Sequence, residues 1–244
     1  MSTWFREYRP TSEATGEPAT VVVALPHAGG AASFYRAWAD HFPVGWRLLA
    51  AKYPGREDRL NDAPTASLNN TVAQISDDLA ALTARGDRFL IVGHSLGAII
   101  GWELAHRLEQ AGADLALVVI SAKTPSIDST LDPNDSEALA RGLTGLDPLF
   151  ATIEQYPELR DHALAATAAD LTHLGAHTMT PQPIASRLLA LGGNTDLAVP
   201  TTALTGWRER TTGDFWHRIL PGGHFYLRGE EGTVVKLIRL FAED

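Results

Sequence analysis

The chain has no cysteine. That excludes a disulfide framework, a thiolate metal site and a cysteine nucleophile, and leaves any covalent catalysis to serine or another oxygen. No apolar run approaches the roughly 18 residues that span a bilayer. The opening segment Met1-Ser2-Thr3-Trp4-Phe5-Arg6-Glu7-Tyr8-Arg9-Pro10 lacks the apolar stretch of a signal peptide, so a soluble, cytoplasmic protein is expected. Positive charge is also scarce. Twenty Lys and Arg stand against 29 Asp and Glu, a formal net charge of -9 with no basic run, which argues against a general nucleic-acid binder or a protein of anionic membranes. Neither repeats nor low-complexity tracts occur.

What the chain does have is length and apolar content. With 244 residues, 45% of them hydrophobic, it can bury a full core. One domain over 1–244 with an insertion is the simplest organisation. Short apolar runs suited to buried parallel strands fall at 20–25, 47–51, 88–92, 115–121, 188–191 and 215–220. Helical spacing marks 34–42, 68–84, 98–109, 201–210 and 234–241. Strands alternating with helices predict an α/β fold, a mostly parallel sheet covered on both faces with its ligand site at the carboxyl ends of the strands. Between 123 and 186 the alternation stops. Helical patterns at 136–143, 148–155 and 157–177, the last with Leu164, Ala168, Leu171 and Leu174 on one face, predict a helical insertion that is a candidate lid.

Gly93-His94-Ser95-Leu96-Gly97 joins the run ending at Val92 to the helix-like stretch that follows, which reads as a G-x-S-x-G nucleophile elbow. The turn is so sharp that a Cβ at either flank would collide with a neighbouring strand or helix. Ser95 is thereby exposed at a helix N-terminus, where unpaired N–H groups favour negative charge.

A serine hydroxyl needs a base, and the base needs a carboxylate, in the chain order Ser, Asp or Glu, His. His106 lies inside the elbow's helix, His162, His173 and His177 fall in the insertion, and His217 is within an alternating strand. His224, in the loop Pro221-Gly222-Gly223-His224-Phe225 after a strand, is the expected base. Asp196, the one acid in the turn Gly192-Gly193-Asn194-Thr195-Asp196, is the expected carboxylate, with Asp214 and Asp170 as fallbacks. The oxyanion donors are expected to be the backbone N–H groups of Leu96 and of Ala28, the latter in Pro26-His27-Ala28-Gly29-Gly30 after the first parallel strand. His27 is either a hydrogen-bonding support or pocket wall.

These motifs, together with Ala31-Ala32-Ser33-Phe34-Tyr35 and Tyr53-Pro54-Gly55-Arg56-Glu57, resemble the stand-alone type II thioesterases of polyketide and nonribosomal peptide biosynthesis, from about Trp4 to Phe241. The resemblance implies an α/β-hydrolase fold with a helical lid, a Ser95, Asp196 and His224 triad, oxyanion donors at Ala28 and Leu96, and no cofactor or metal. The activity it implies is hydrolysis of acyl groups from the phosphopantetheine arm of acyl or peptidyl carrier domains, chiefly stalled or wrongly loaded ones. The chain departs from the family at Lys52, where a residue such as glutamine is usual, and at Ser121-Ala122-Lys123-Thr124-Pro125, which replaces an arginine-containing stretch.

The residues by themselves support a serine hydrolase and do not separate a thioester from an ester. A small-molecule esterase or lipase is therefore the alternative, and a non-catalytic module that binds acylated carriers is a second. The protein is expected to be a monomer. Carrier domains generally present acidic surface, so a local basic patch would have to offset the negative net charge. Lys52, Arg56 and Arg59 are the candidates for it.

Overall fold

A computed structural model describes residues 2–9, 19–84 and 86–243, so Met1 and Pro10 of the opening segment lie outside the described residues. Seven strands form one sheet in the order β1-β3-β2-β4-β5-β6-β7. They are β1 (Phe5–Arg9), β2 (Thr20–Leu25), β3 (Trp46–Ala51), β4 (Arg88–His94), β5 (Asp114–Ser121), β6 (Leu188–Gly193) and β7 (Phe215–Leu220). All neighbours pair in parallel except β1, which runs antiparallel to β3. The six expected parallel strands are all present. β1 has no counterpart among the expected strands, because its sequence Phe-Arg-Glu-Tyr-Arg offers charge where a strand signal needs apolar residues. Such charge suits an edge strand, and Glu7 pairs with Arg47 on β3 at 2.8 Å.

The strands of the sheet's centre are apolar on both sides because both faces are covered. On β2, Val21, Val23 and Leu25 join a core with helices α1 (Leu68–Leu82) and α2 (Leu96–Gln110). Val22 and Ala24 point the other way, to a core with the 3₁₀ segment Ala32–His41 and the terminal helix. The expected helices at 34–42 and 201–210 form as 3₁₀ turns, Ala32–His41 and Thr201–Arg210. Neither has a side-chain cap, and the second carries threonines and Gly206, all poor α-helix formers.

Between β5 and β6 come only helices, α3 (Ser136–Leu146), α4 (Phe150–Ile153) and α5 (Pro157–Gly175), before α6 (Glu231–Glu243) closes the chain. Asp135 caps α3 by accepting from the N–H groups of Glu137 and Ala138, and Pro157 opens α5 at a position where no N–H is needed. On α5, Leu164, Leu171 and Leu174 are buried together with Thr167. The helices thus occupy the stretch expected for an insertion, and α5 packs on both α2 and α3. No helix among the described residues is long and apolar enough to cross a membrane.

Candidate active site

Ser95 stands at the junction of β4 and α2 with φ 55° and ψ -116°, a backbone conformation that non-glycine residues rarely adopt and that costs on the order of 1–3 kcal/mol. The surroundings enforce it. A Cβ on Gly93 would run into the carbonyl of Gly97, and one on Gly97 into the carbonyl of Leu25 on β2, so both flanking positions require glycine for space. The Ser95 N–H donates to the Ser121 carbonyl at 2.8 Å, which ties the elbow to the end of β5.

Asp196 and His224 arrive from adjacent strand ends, after β6 and β7. His224 Nδ1 lies 2.8 Å from Asp196 Oδ2, and the two side chains are 6% and 0% exposed. The other oxygen, Asp196 Oδ1, accepts the N–H groups of Ala198 at 2.8 Å and Val199 at 3.2 Å, so the carboxylate is fully used and cannot swing away. The Asn194 side chain accepts the Gly222 N–H at 2.9 Å and the Thr195 N–H donates to the Gly222 carbonyl at 2.9 Å, which laces the two loops together. Ser95 and His224 line the same cavity of about 290 Å³. Among the described residues Ser95 Oγ makes no hydrogen bond, as is common for a nucleophile without substrate.

The same cavity is lined by Ala28 and Leu96, the two expected oxyanion donors, and by Leu131, Leu146, Phe150, Ile153 and Leu171 from the helical segment. Its polar contributions include Lys123, whose amine is pushed down to about 8 by burial and donates to the Asp128 carbonyl at 2.5 Å. His27 is pocket wall: its ring meets Phe34 and Phe225 edge-on at 4.9 and 4.7 Å, and its Nδ1 has no hydrogen-bond partner among the described residues. Burial, with the Arg228 charge nearby, lowers it to about 3, so it is neutral near pH 7. His94 lies beneath the elbow with its ring 5.2 Å from that of His224, and burial likewise holds it well below the usual histidine range. Its Nδ1 is 2.9 Å from Ser121 Oγ, which in turn is 2.7 Å from the Tyr226 hydroxyl. That buried chain had no sequence signal, since its members are 27 and 105 residues apart.

Both fallback acids are placed elsewhere. Asp214 is exposed at the start of β7, the opposite end of the sheet from Ser95. Asp170, on α5, accepts the Gly29 N–H at 2.8 Å and pairs with Arg56. The expected basic patch is not a free surface. Arg56 is spent on Asp170 and on the carbonyls of Gly30 and Pro54, Lys52 pairs with Asp58 at 2.9 Å, and Arg59 pairs with Asp62, donates to the Lys52 carbonyl and covers the Trp4 ring. Each sits just after β3, where carbonyls and carboxylates of the turn itself, and for Arg56 also Gly30 and Asp170 from other segments, claim the cations. No group of three His, Asp or Glu side chains suited to a metal ion occurs among the described residues.

A serine on a strained strand-to-helix turn, above a mostly parallel sheet and beside an acid and histidine from later strand ends, defines the α/β-hydrolase fold. The sequence profile of the thioesterase domain family matches residues 20–242, so the chain belongs to that family of thioester hydrolases. A probable cadicidin biosynthesis thioesterase of Streptomyces griseus is 33% identical over 92% of this chain and 62% of its own length, and thioesterase PikA5 of Streptomyces venezuelae is 31% identical over 93% and 81%. The chain spans only 10% of another relative, the antimetabolite synthetase AmbE of Pseudomonas aeruginosa, at 34% identity. Among solved structures, the type II thioesterase BorB from the borrelidin biosynthetic cluster superposes with a TM-score of 0.82 at 29% identity, covering 98% of this chain and 97% of that one. RedJ, a thioesterase of the prodiginine pathway in Streptomyces coelicolor, does so with 0.83 at 25%, covering 97% and 91%.

Proposed function

We propose that the chain is a type II thioesterase that hydrolyses acyl thioesters from phosphopantetheinyl carrier domains, clearing stalled or mis-primed arms. The observation that carries the site assignment is the contact between His224 Nδ1 and Asp196 Oδ2 at 2.8 Å, beside the cavity that Ser95 enters. Likeness to BorB and to PikA5 supports the substrate class.

In this reading His224 Nε2 takes the Ser95 hydroxyl proton as Oγ attacks the thioester carbonyl. Asp196 fixes the Nδ1–H tautomer and stabilises the imidazolium. The tetrahedral oxyanion accepts from the N–H groups of Ala28 and Leu96, which among the described residues donate to no other group. The C–S bond then breaks, the pantetheine sulfur leaves with the proton from His224, and the acyl group stays on Oγ. Water, deprotonated by His224, attacks that ester, and the acid departs as Oγ regains its proton. The chemistry calls for no cofactor.

The helical segment 123–186 acts as the lid and shapes the acyl cavity. The protein acts as a monomer in this reading, and a carrier substrate would place it in the cytoplasm with its synthase. A panel of acyl-carrier thioesters and matched oxygen esters tests the reading. The thioester should be preferred, and the carrier-bound form should exceed a free acyl-N-acetylcysteamine in kcat/KM. Preference for the oxygen ester with indifference to the carrier would make the protein an esterase instead.

A further inference from the structure

Asp170 is an acid that the proposed reaction does not use, yet it lies against the oxyanion loop. It projects from α5, in the middle of the helical segment, and is 16% exposed. Residues His27 to Gly30 form a tight turn, closed by the Gly30 N–H donating to the His27 carbonyl at 2.9 Å, with Gly29 at φ 72° in its third position. A positive φ there, together with the closing bond, is the geometry of a type II turn, whose central peptide carries the Gly29 N–H outward. That N–H donates to Asp170 Oδ2 at 2.8 Å. The same oxygen pairs with the Arg56 guanidinium, and Arg56 Nε donates to the Gly30 carbonyl at 2.9 Å. Thr167, one turn earlier on α5, packs so closely on Gly29 that a Cβ there would overlap its side chain. The Gly29 N–H and the Gly30 carbonyl, which follow Ala28 in the loop, are therefore held by groups outside it, beside the turn's own closing bond.

We infer that Asp170, acting through Arg56, is a positioning residue that holds the Ala28 N–H in its oxyanion-binding direction, so that the oxyanion hole is complete only while α5 is seated on the body. The inference rests on the proposed role of Ala28. Its physical basis is that a donor contributes to catalysis only if it is already aimed at the developing charge. The carboxylate stands on a lid element, so any displacement of α5 that admits an acyl chain also withdraws the brace. Burial pushes the Asp170 carboxyl above its ordinary range while the Arg56 charge and the Gly29 N–H pull it back, which keeps the pair interdependent.

The test compares the full chain with Asp170→Asn and Arg56→Lys, using an acyl-N-acetylcysteamine thioester and a trifluoromethyl ketone that mimics the tetrahedral intermediate. An amide keeps an acceptor oxygen but removes the charge that holds the guanidinium, and a lysine cannot span Gly30 and Asp170. Both variants should lose roughly 10- to 100-fold in kcat, less than the 10²–10³ of deleting an oxyanion donor, with KM within about two-fold. Ketone affinity should fall by the same factor, and ketone binding should slow hydrogen exchange along α5 in the wild type but not in Asp170→Asn. Unchanged kcat and ketone affinity, whatever the change in melting temperature, would make the pair merely structural and overturn the inference. If Asp170→Asn does not fold, Arg56→Lys decides by the same readouts. Ser95→Ala run alongside separates the two levels: turnover in that variant would remove the assigned site itself, whereas its inactivity beside a fully active Asp170→Asn removes only the brace.

Discussion

Asp196 spends one carboxylate oxygen on two backbone N–H groups and the other on His224, and in the proposed mechanism it serves to hold that ring. Replacement by Asn keeps the shape but favours the wrong imidazole tautomer, and a loss of about 10⁴ in kcat is expected by analogy with serine proteases. Ser95→Ala should abolish turnover. Steady-state rates on a small thioester check both, with circular dichroism confirming the fold. The neighbouring histidines set a separate pH dependence. Burial keeps His94 neutral well below the ordinary value of 6.5, and His27 down to about 3. In the unfolded chain both bind a proton near pH 6.5, so their contribution is complete above that pH and is lost on acidification toward the folded values. At pH 5 the penalty for His27, held down to about 3, is about 2 kcal/mol, or roughly 4–8 °C in melting temperature for a chain of this size, and His94 adds to it in the same direction. Thermal unfolding at pH 7 and 5 should show that fall, and His94→Gln should reduce it. A flat melting temperature would contradict the assignment of a buried neutral ring.

At the scale of elements, the parallel strands and the elbow were legible because each is a local pattern: an apolar run, then glycine, serine, glycine. The contact between Asp196 and His224 was legible for a similar reason, each following a strand in a glycine-rich turn; their catalytic roles remain a proposal. What could not be read was pairing across distance. The Arg56 and Asp170 contact joins residues 114 apart, and β1 pairs through a charged segment whose edge position alone makes it a strand. The same blindness made Lys52, Arg56 and Arg59 look free, since the partners that occupy them carry no sequence signature. The glycine reading, by contrast, has a direct structural counterpart. Gly97→Ala would press a methyl against the Leu25 carbonyl in a part of the molecule with no room to shift, so a loss of about 1–3 kcal/mol or more is expected, measured by chemical denaturation. Within the helical segment, Leu171→Ala should cost about 2–5 kcal/mol and enlarge the acyl cavity, which would move preference toward bulkier acyl groups. Unchanged acyl preference would separate α5 from chain selection.

At the scale of the whole molecule, a net charge of -9 with Lys52, Arg56 and Arg59 paired internally offers no long-range attraction to an acidic carrier. Raising salt from about 0.02 to 0.2 M should therefore leave kcat/KM for a carrier-bound thioester level or raise it, because exposed like charges are screened over roughly 10 Å at 0.1 M. A steep fall would reveal a basic docking surface elsewhere. The central claim is that one serine, lifted into an apolar cavity, accepts the acyl group from a carrier thiol before water removes it. The most direct measurement is intact-protein and peptide mass spectrometry after rapid mixing with an acyl-carrier thioester and an acid quench. The account predicts a mass increase equal to the acyl group on the peptide that contains Ser95, absent in Ser95→Ala, together with free carrier thiol. Acylation at another residue, or full turnover by Ser95→Ala, would contradict it.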